Sequence, residues 1–175
     1  ESNGGPIIRI KPRVIFKLAE ENLPSHTQMV LPMPSSMLGS VTMLEASIMT
    51  VLLKLFRPRV IVEFGTFLGY TSRLLLQNSQ EARVLSIDLP ESLSVPEAVQ
   101  AYSEEELHTD ERKNDDYLRL ISSKLGRRYL EGLPERDHQR LDLIEADSKT
   151  VQPSTLQRHG RFIIIFIDGG HDRET

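Results

Sequence analysis

The run Arg59-Val-Ile-Val-Glu63-Phe-Gly65-Thr-Phe-Leu-Gly69-Tyr-Thr-Ser72 joins an apolar, β-branched stretch to two glycines and then to a second apolar stretch. It reads as a buried strand entering a glycine turn that opens a helix, the device with which α/β proteins cradle nucleotide-like ligands. The glycines are spaced G-x-x-x-G, with Glu63 two residues before the first. A dinucleotide fold asks instead for G-x-G-x-x-G, so the pattern points away from a nicotinamide cofactor.

The flanking sequence extends this unit. From Ser35 or Ser36 onward, Met37, Val41, Leu44, Ile48, Val51, Leu52 and Leu55 recur at helical spacing, and Pro58 ends the pattern. Arg59 to Phe64 is a strand covered on both faces, and Thr71 to Gln77 falls in the following helix. Arg83 to Asp88 repeats a buried strand ending in an acid, which completes a βαβ unit. Leu141 to Glu145 is a third strand whose alternation suits a sheet edge, with Asp147 and Ser148 just beyond it. Ser154 to His159 allows one short helix. Phe162 to Ile167 is six consecutive large apolar residues followed by Asp168-Gly-Gly-His171, and it predicts a central strand buried on both faces. The fold class is therefore α/β, a Rossmann-like, doubly wound and mainly parallel sheet.

Residues 1–34 carry many of the prolines and little periodicity, and read as an N-terminal arm. Residues 35–175 form the ligand-binding domain. Within it, residues 90–139 are longer than a plain crossover and the most charged part of the chain. Tyr117, Leu120, Ile121, Leu125 and Tyr129 predict a helix over Asp115 to Leu130 in that insertion. Two roles stay open for it, a solvated crossover helix or a lid. A strand as apolar as the last one would be a hazard at a bare edge. The expectation is a sheet truncated after its fourth strand, completed by further chain or by another copy.

Composition removes several function classes. The chain has 175 residues, 39% of them apolar, enough for one domain with a sizeable core. The apolar helix from Val41 to Phe56 is interrupted by Glu45 and Lys54 and is shorter than the roughly 20 residues a bilayer needs. No secretory signal is visible, and the absence of cysteine fits a reducing cytoplasm. A net charge of -4 argues against a nucleic-acid partner. A small-molecule substrate is what remains, and the apolar edge with the proline-rich arm allows a homodimer.

Four acids at strand ends, Glu63, Asp88, Asp147 and Asp168, together with the glycine turn and Phe166-Ile-Asp-Gly-Gly-His171, carry a family resemblance. From Leu38 to Thr175, with the insertion fitting poorly, the chain resembles the class I S-adenosylmethionine-dependent methyltransferases. Within them it is similar to bacterial small-molecule O-methyltransferases and cephalosporin-hydroxylase-like proteins with an F-I-D-G-x-H signature. The resemblance implies S-adenosylmethionine as cofactor, contacted by Glu63, Gly65, Thr66, Gly69, Ser72, Asp88, Asp147, Ser148 and Asp168. Glycines at 65 and 69 let backbone amides approach a ligand closely. Glu63 is expected near the ammonium group, Asp88 on the ribose hydroxyls, and Asp147 and Ser148 near adenine. The switch point falls between the first and fourth strands, where Glu63 and Asp168 should face each other.

For chemistry, the resemblance implies Asp168 and His171 as the catalytic pair. Asp168 matches a divalent-metal ligand of the metal-dependent members, and His171 matches a general base. A hard ion such as Mg²⁺ would lower the pKa of a bound hydroxyl, and a histidine can take its proton near neutral pH. Further metal ligands would follow Thr175, so metal dependence stays open. The implied activity is O-methylation of a hydroxylated small molecule, a sugar or a natural product. Hydroxylase-like chemistry and a non-catalytic cofactor-binding or interaction module are the alternatives. His26, His108, His138 and His159 read as surface or structural. The five methionines before the first strand read as core filling, and Glu45 as a helix cap or solvated residue.

Overall fold

The computed structural model describes residues 8–33, 39–90, 101–157 and 164–168. Strands β1 (Val60–Phe64), β2 (Arg83–Asp88), β3 (Leu141–Glu145) and β4 (Ile164–Ile167) lie parallel in one sheet, in the order β3-β2-β1-β4. Parallel neighbours require crossovers, and helices α1 (Pro12–Asn22), α2 (Met43–Phe56), α3 (Tyr70–Asn78), α4 (Glu104–Thr109), α5 (Glu111–Leu125), α6 (Glu135–His138) and α7 (Pro153–Gln157) precede or connect the strands. The Rossmann-like expectation holds, with β3 at the predicted edge and the switch point between β1 and β4.

Alternation along the two central strands divides the core. Ile61 and Val84 point to one face, where Leu53, Leu75, Leu76, Leu130 and Leu133 cover them. Val60, Val62, Leu85 and Ile87 point to the other, against Leu156 of α7. Both faces are therefore buried, which is why these strands read as near-continuous apolar runs.

β4 is not covered on both sides but stands at the bare edge that a sheet truncated after its fourth strand leaves. Among the described residues it pairs with β1 alone, and Ile165 and Ile167 are 53% and 68% exposed. An apolar run reports that a strand can be buried; it does not say which neighbours supply the cover. Phe162 and Ile163 lie outside the described residues.

Three further elements differ from the sequence pattern. The segment read as an arm contains α1, with Pro12 at its first turn and Ile15 buried, packed beside α2. Beyond it, Asn78 of α3 accepts from the Val30 amide at 2.9 Å and donates to the Val30 carbonyl at 2.6 Å, which pins the extended chain to the domain. Helix α2 starts at Met43, several residues later than the spacing suggests, because Thr42 and Glu45 form a reciprocal capping box. Helix α5 starts at Glu111, where the Asp110 carboxylate accepts from the amides of Arg112 and Lys113, and stops at Gly126 with φ +58°.

Candidate functional site

A cleft of about 570 Å³ opens at the carboxyl ends of the strands, within the size range of small-molecule sites. Its floor is the turn Gly65 to Leu68, with Asp88 at the end of β2 and Asp168 after β4. One side is the chain from Gly39 to Thr42 with Glu45, and the other is α5, through Asp115, Leu118 and Ser122, followed by Arg127.

The turn is held in an unusual backbone. Gly65 has φ +92° and Gly69 φ +82°, both left-handed, and Phe67 between them has φ +47°. For a bulky residue this conformation costs about 1–3 kcal/mol and persists only where surrounding bonds enforce it. Asp88 supplies them: its Oδ2 accepts from the amides of Thr66 at 3.2 Å and Phe67 at 2.9 Å. Its Oδ1 accepts from Leu89 at 2.9 Å. Burial raises the Asp88 pKa, and these amides together with Arg127 oppose that shift. The acid that ends β2 thus organises the turn that follows β1.

Beneath the turn lies a polar knot. Glu63 and Ser86 are register partners on adjacent strands and share a face. Ser72 on α3 and Ser86 each donate to Glu63 Oε2 at 2.5 Å, and Thr66 donates its hydroxyl to Ser86 at 2.7 Å. Glu63 is 0% exposed, and its Oε1 has no hydrogen-bond partner among the described residues. Desolvation pushes its pKa up to about 7 against the two serine bonds, with Asp88 and Asp168 adding repulsion.

The expected contact residues therefore separate into groups. Gly65, Thr66, Asp88 and Asp168 line the cleft. Glu63 and Ser72 are both buried and bonded to each other below it. Gly69 caps α3, and a Cβ there would lie 2.6 Å from Leu130 Cγ, so its missing side chain admits a neighbour from the insertion. Asp147 bonds the amide of Lys149 at 2.9 Å and caps a short turn, Ser148–Thr150; neither Asp147 nor Ser148 is among the residues lining the cleft. The Asp168 amide donates to the Phe64 carbonyl at 2.9 Å, which fixes this residue beside β1. Among the described residues no cluster of three or more His, Asp or Glu could hold a metal ion. His171 lies outside them.

Sequence reasoning missed the join between insertion and turn. Arg127 pairs with Glu145, the Tyr129 amide donates to the Leu68 carbonyl at 3.0 Å, and Arg73 donates to the carbonyls of Tyr129 and Glu131 at 3.0 and 3.1 Å. Tyr70 and Tyr129 meet edge to face at 5.2 Å. Two signals were available: Ser86, a lone polar residue inside a strand buried on both faces, and Gly126, which ends α5 and so sets where Arg127 falls.

A family model described as "Methyltransferase domain" matches residues 62–175, more than half of the chain. The chain belongs to that family. The matched region begins inside β1 and takes in the turn, Asp88, the insertion and Asp168. No curated protein matches the sequence. Among solved structures, the methyltransferase domain is similar to the SAH-bound methyltransferase PaMTH1 of Podospora anserina, at 17% identity and TM-score 0.42, covering 90% of this chain and 49% of that one. It is similar to the O-methyltransferase TomG of Streptomyces achromogenes, solved with SAM and involved in tomaymycin synthesis, at 20% identity and TM-score 0.41, covering 73% and 44%. An SAH-bound O-methyltransferase of Bacillus cereus is similar at 16% identity and TM-score 0.39, covering 90% and 53%. The chain spans about half the length of these structures.

Proposed function

We propose that this methyltransferase domain binds S-adenosylmethionine in the cleft and serves the methylation of a hydroxyl group on a small molecule. The observation that carries this reading is the site's location. Family membership for residues 62–175 coincides with a cleft at the switch point of a parallel sheet, floored by a strained turn and an acid at the end of β2. When bound, S-adenosylmethionine supplies a methyl group on a positively charged sulfur. The residues present fit such a molecule. Asp88 offers carboxylate oxygens to paired ribose hydroxyls, and the Gly65 to Leu68 turn offers close backbone approach. The acidic floor formed by Asp88 and Asp168 suits a cation.

In this reading Thr66 and Gly65 border the cofactor, while Glu63 and Ser72 support the turn from below. Gly69 starts α3, whose amino end faces the site. Asp147 and Ser148 are assigned to the adenine side, beyond β3. Asp168 orients the acceptor hydroxyl, by itself or as a ligand of a divalent ion such as Mg²⁺, and His171 takes its proton.

Calorimetric titration with S-adenosylhomocysteine tests the cofactor assignment, with NAD as control. Saturable binding to the wild-type chain, weakened about tenfold or more by Asp88→Asn, is the expected result. Binding of NAD instead, or S-adenosylhomocysteine binding untouched by Asp88→Asn, overturns the placement.

A further inference from the structure

Arg127 is an unusual cation for an exposed insertion. Its side chain is only 15% exposed, yet its ion-pair partner Glu145 is 50% exposed and the contacts to Glu145 Oε1 are long, 3.4 and 3.5 Å. Such a pair contributes about 0–1 kcal/mol. Glu145 and Asp88 are register partners at the ends of β3 and β2, so a guanidinium held against Glu145 also lies beside the end of β2. Arg127 and Asp88 both line the cleft. The backbone just beyond Arg127 is fastened to the floor through the Tyr129 amide, Arg73 and the Leu130 contact above Gly69. Arg127 is therefore presented from an anchored point, next to where the turn passes into α3.

We propose that Arg127 is a positioning residue of the cofactor site, which sets a positive charge beside the Asp88 carboxylate and closes the cleft between the ends of β2 and β3. This rests on the assignment of the cleft to S-adenosylmethionine. The groups facing Asp88 make the sign clear. From the turn come the amides of Thr66 and Phe67, and from its own strand end the amide of Leu89. From β1 comes Glu63, repulsive when charged and itself repelled by Asp168; from β3 comes Glu145; and from the segment after α5 comes the positive charge of Arg127. Burial already favours the neutral acid at Asp88. Removing Arg127 leaves that tendency less opposed, so the carboxylate forms only at higher pH, and a protonated acid offers fewer acceptor positions to ribose hydroxyls.

The test combines two measurements on the full chain. Carboxyl carbon NMR follows the titration of Asp88 without any ligand, in wild type, Arg127→Gln and Arg127→Lys. Calorimetry follows S-adenosylhomocysteine binding from pH 5 to pH 8 in the same proteins. Arg127→Gln is expected to move the Asp88 titration upward and to weaken binding about tenfold at the acid end, with a smaller loss at pH 8. Arg127→Lys should recover part of both. An unchanged Asp88 titration in Arg127→Gln overturns the proposal, including the case where the variant is merely less stable. If wild type binds no S-adenosylhomocysteine while the NMR shift appears, the cofactor assignment fails and the electrostatic link between Arg127 and Asp88 stands.

Discussion

The floor and the wall of the cleft are built on opposite principles. The floor, β1 with its turn, α3 and β2, is buried and cross-bonded within one stretch, residues 63–88: Glu63 to Ser72 and Ser86, Asp88 to Thr66 and Phe67. The wall, α5 and the chain to Leu133, is half-exposed and charged, and it is fastened to α3 and the turn by a few point contacts with residues that stand before the insertion in another part of the chain. A locally specified floor admits little variation. A wall held at its base can change along α5 without disturbing the turn.

The most damaging way to break this arrangement is at their contact. Gly69→Ala imposes a side chain at φ +82° and 2.6 Å from Leu130 Cγ. It should cost about 3–4 kcal/mol in urea unfolding, the sum of left-handed strain and overpacking. A double-mutant cycle with Leu130→Ala sharpens the comparison: strong non-additivity means that wall and floor are one mechanical unit, and simple addition means they are not.

Next is the knot under the floor. The folded-state pKa of Glu63 lies at about 7, above its ordinary 4.5, so the folded state binds the extra proton between those values. Stability is therefore full below pH 4.5 and falls as pH rises through about 7, by about 3 kcal/mol in all. Glu63→Gln should flatten that slope in unfolding measured at pH 5 and pH 8. A slope that survives the substitution places the titration in another group.

Arg73→Met removes two charged donors from the carbonyls of Tyr129 and Glu131 and should cost about 2 kcal/mol. Hydrogen exchange should rise in the wall, at residues 127–133, and stay low in β1 and β2. Equal rises in both would erase the distinction. The smallest effect is expected for Thr42→Ala, which removes one half of the α2 capping box on the opposite side of the cleft and should cost about 1 kcal/mol in thermal unfolding.

What could be read from the sequence follows the same division. The order of strands and the glycine turn were legible because their determinants are local: apolar runs, left-handed glycines and acids at strand ends. That Glu63 faces inward was not, because the residue type fits a ligand contact and a buried knot equally; the partner serine at position 86 decides it, and pairing across strands is not written in either strand. Gly69 was expected to serve a ligand, and its space is filled by Leu130, sixty-one positions later in the chain. The helix in the presumed arm was missed because prolines around it outweighed a short periodic stretch, though Pro12 sits at the one helical position that tolerates it. Likewise the late start of α2 was readable in Thr42-x-x-Glu45, a signal that outranks apolar spacing upstream.

The edge-to-face contact of Tyr70 and Tyr129 gives the molecule a built-in optical reporter. The chain has no tryptophan and four tyrosines, so its near-ultraviolet emission comes from tyrosine alone. Two of the four rings straddle the seam between α3 and the segment after α5, 5.2 Å apart. Any opening of that seam separates them and alters their environment, and Tyr70→Phe identifies the share of the signal that belongs to it. Movement of the cleft can thus be followed in unlabelled protein, in stopped flow, with no dye attached near the site.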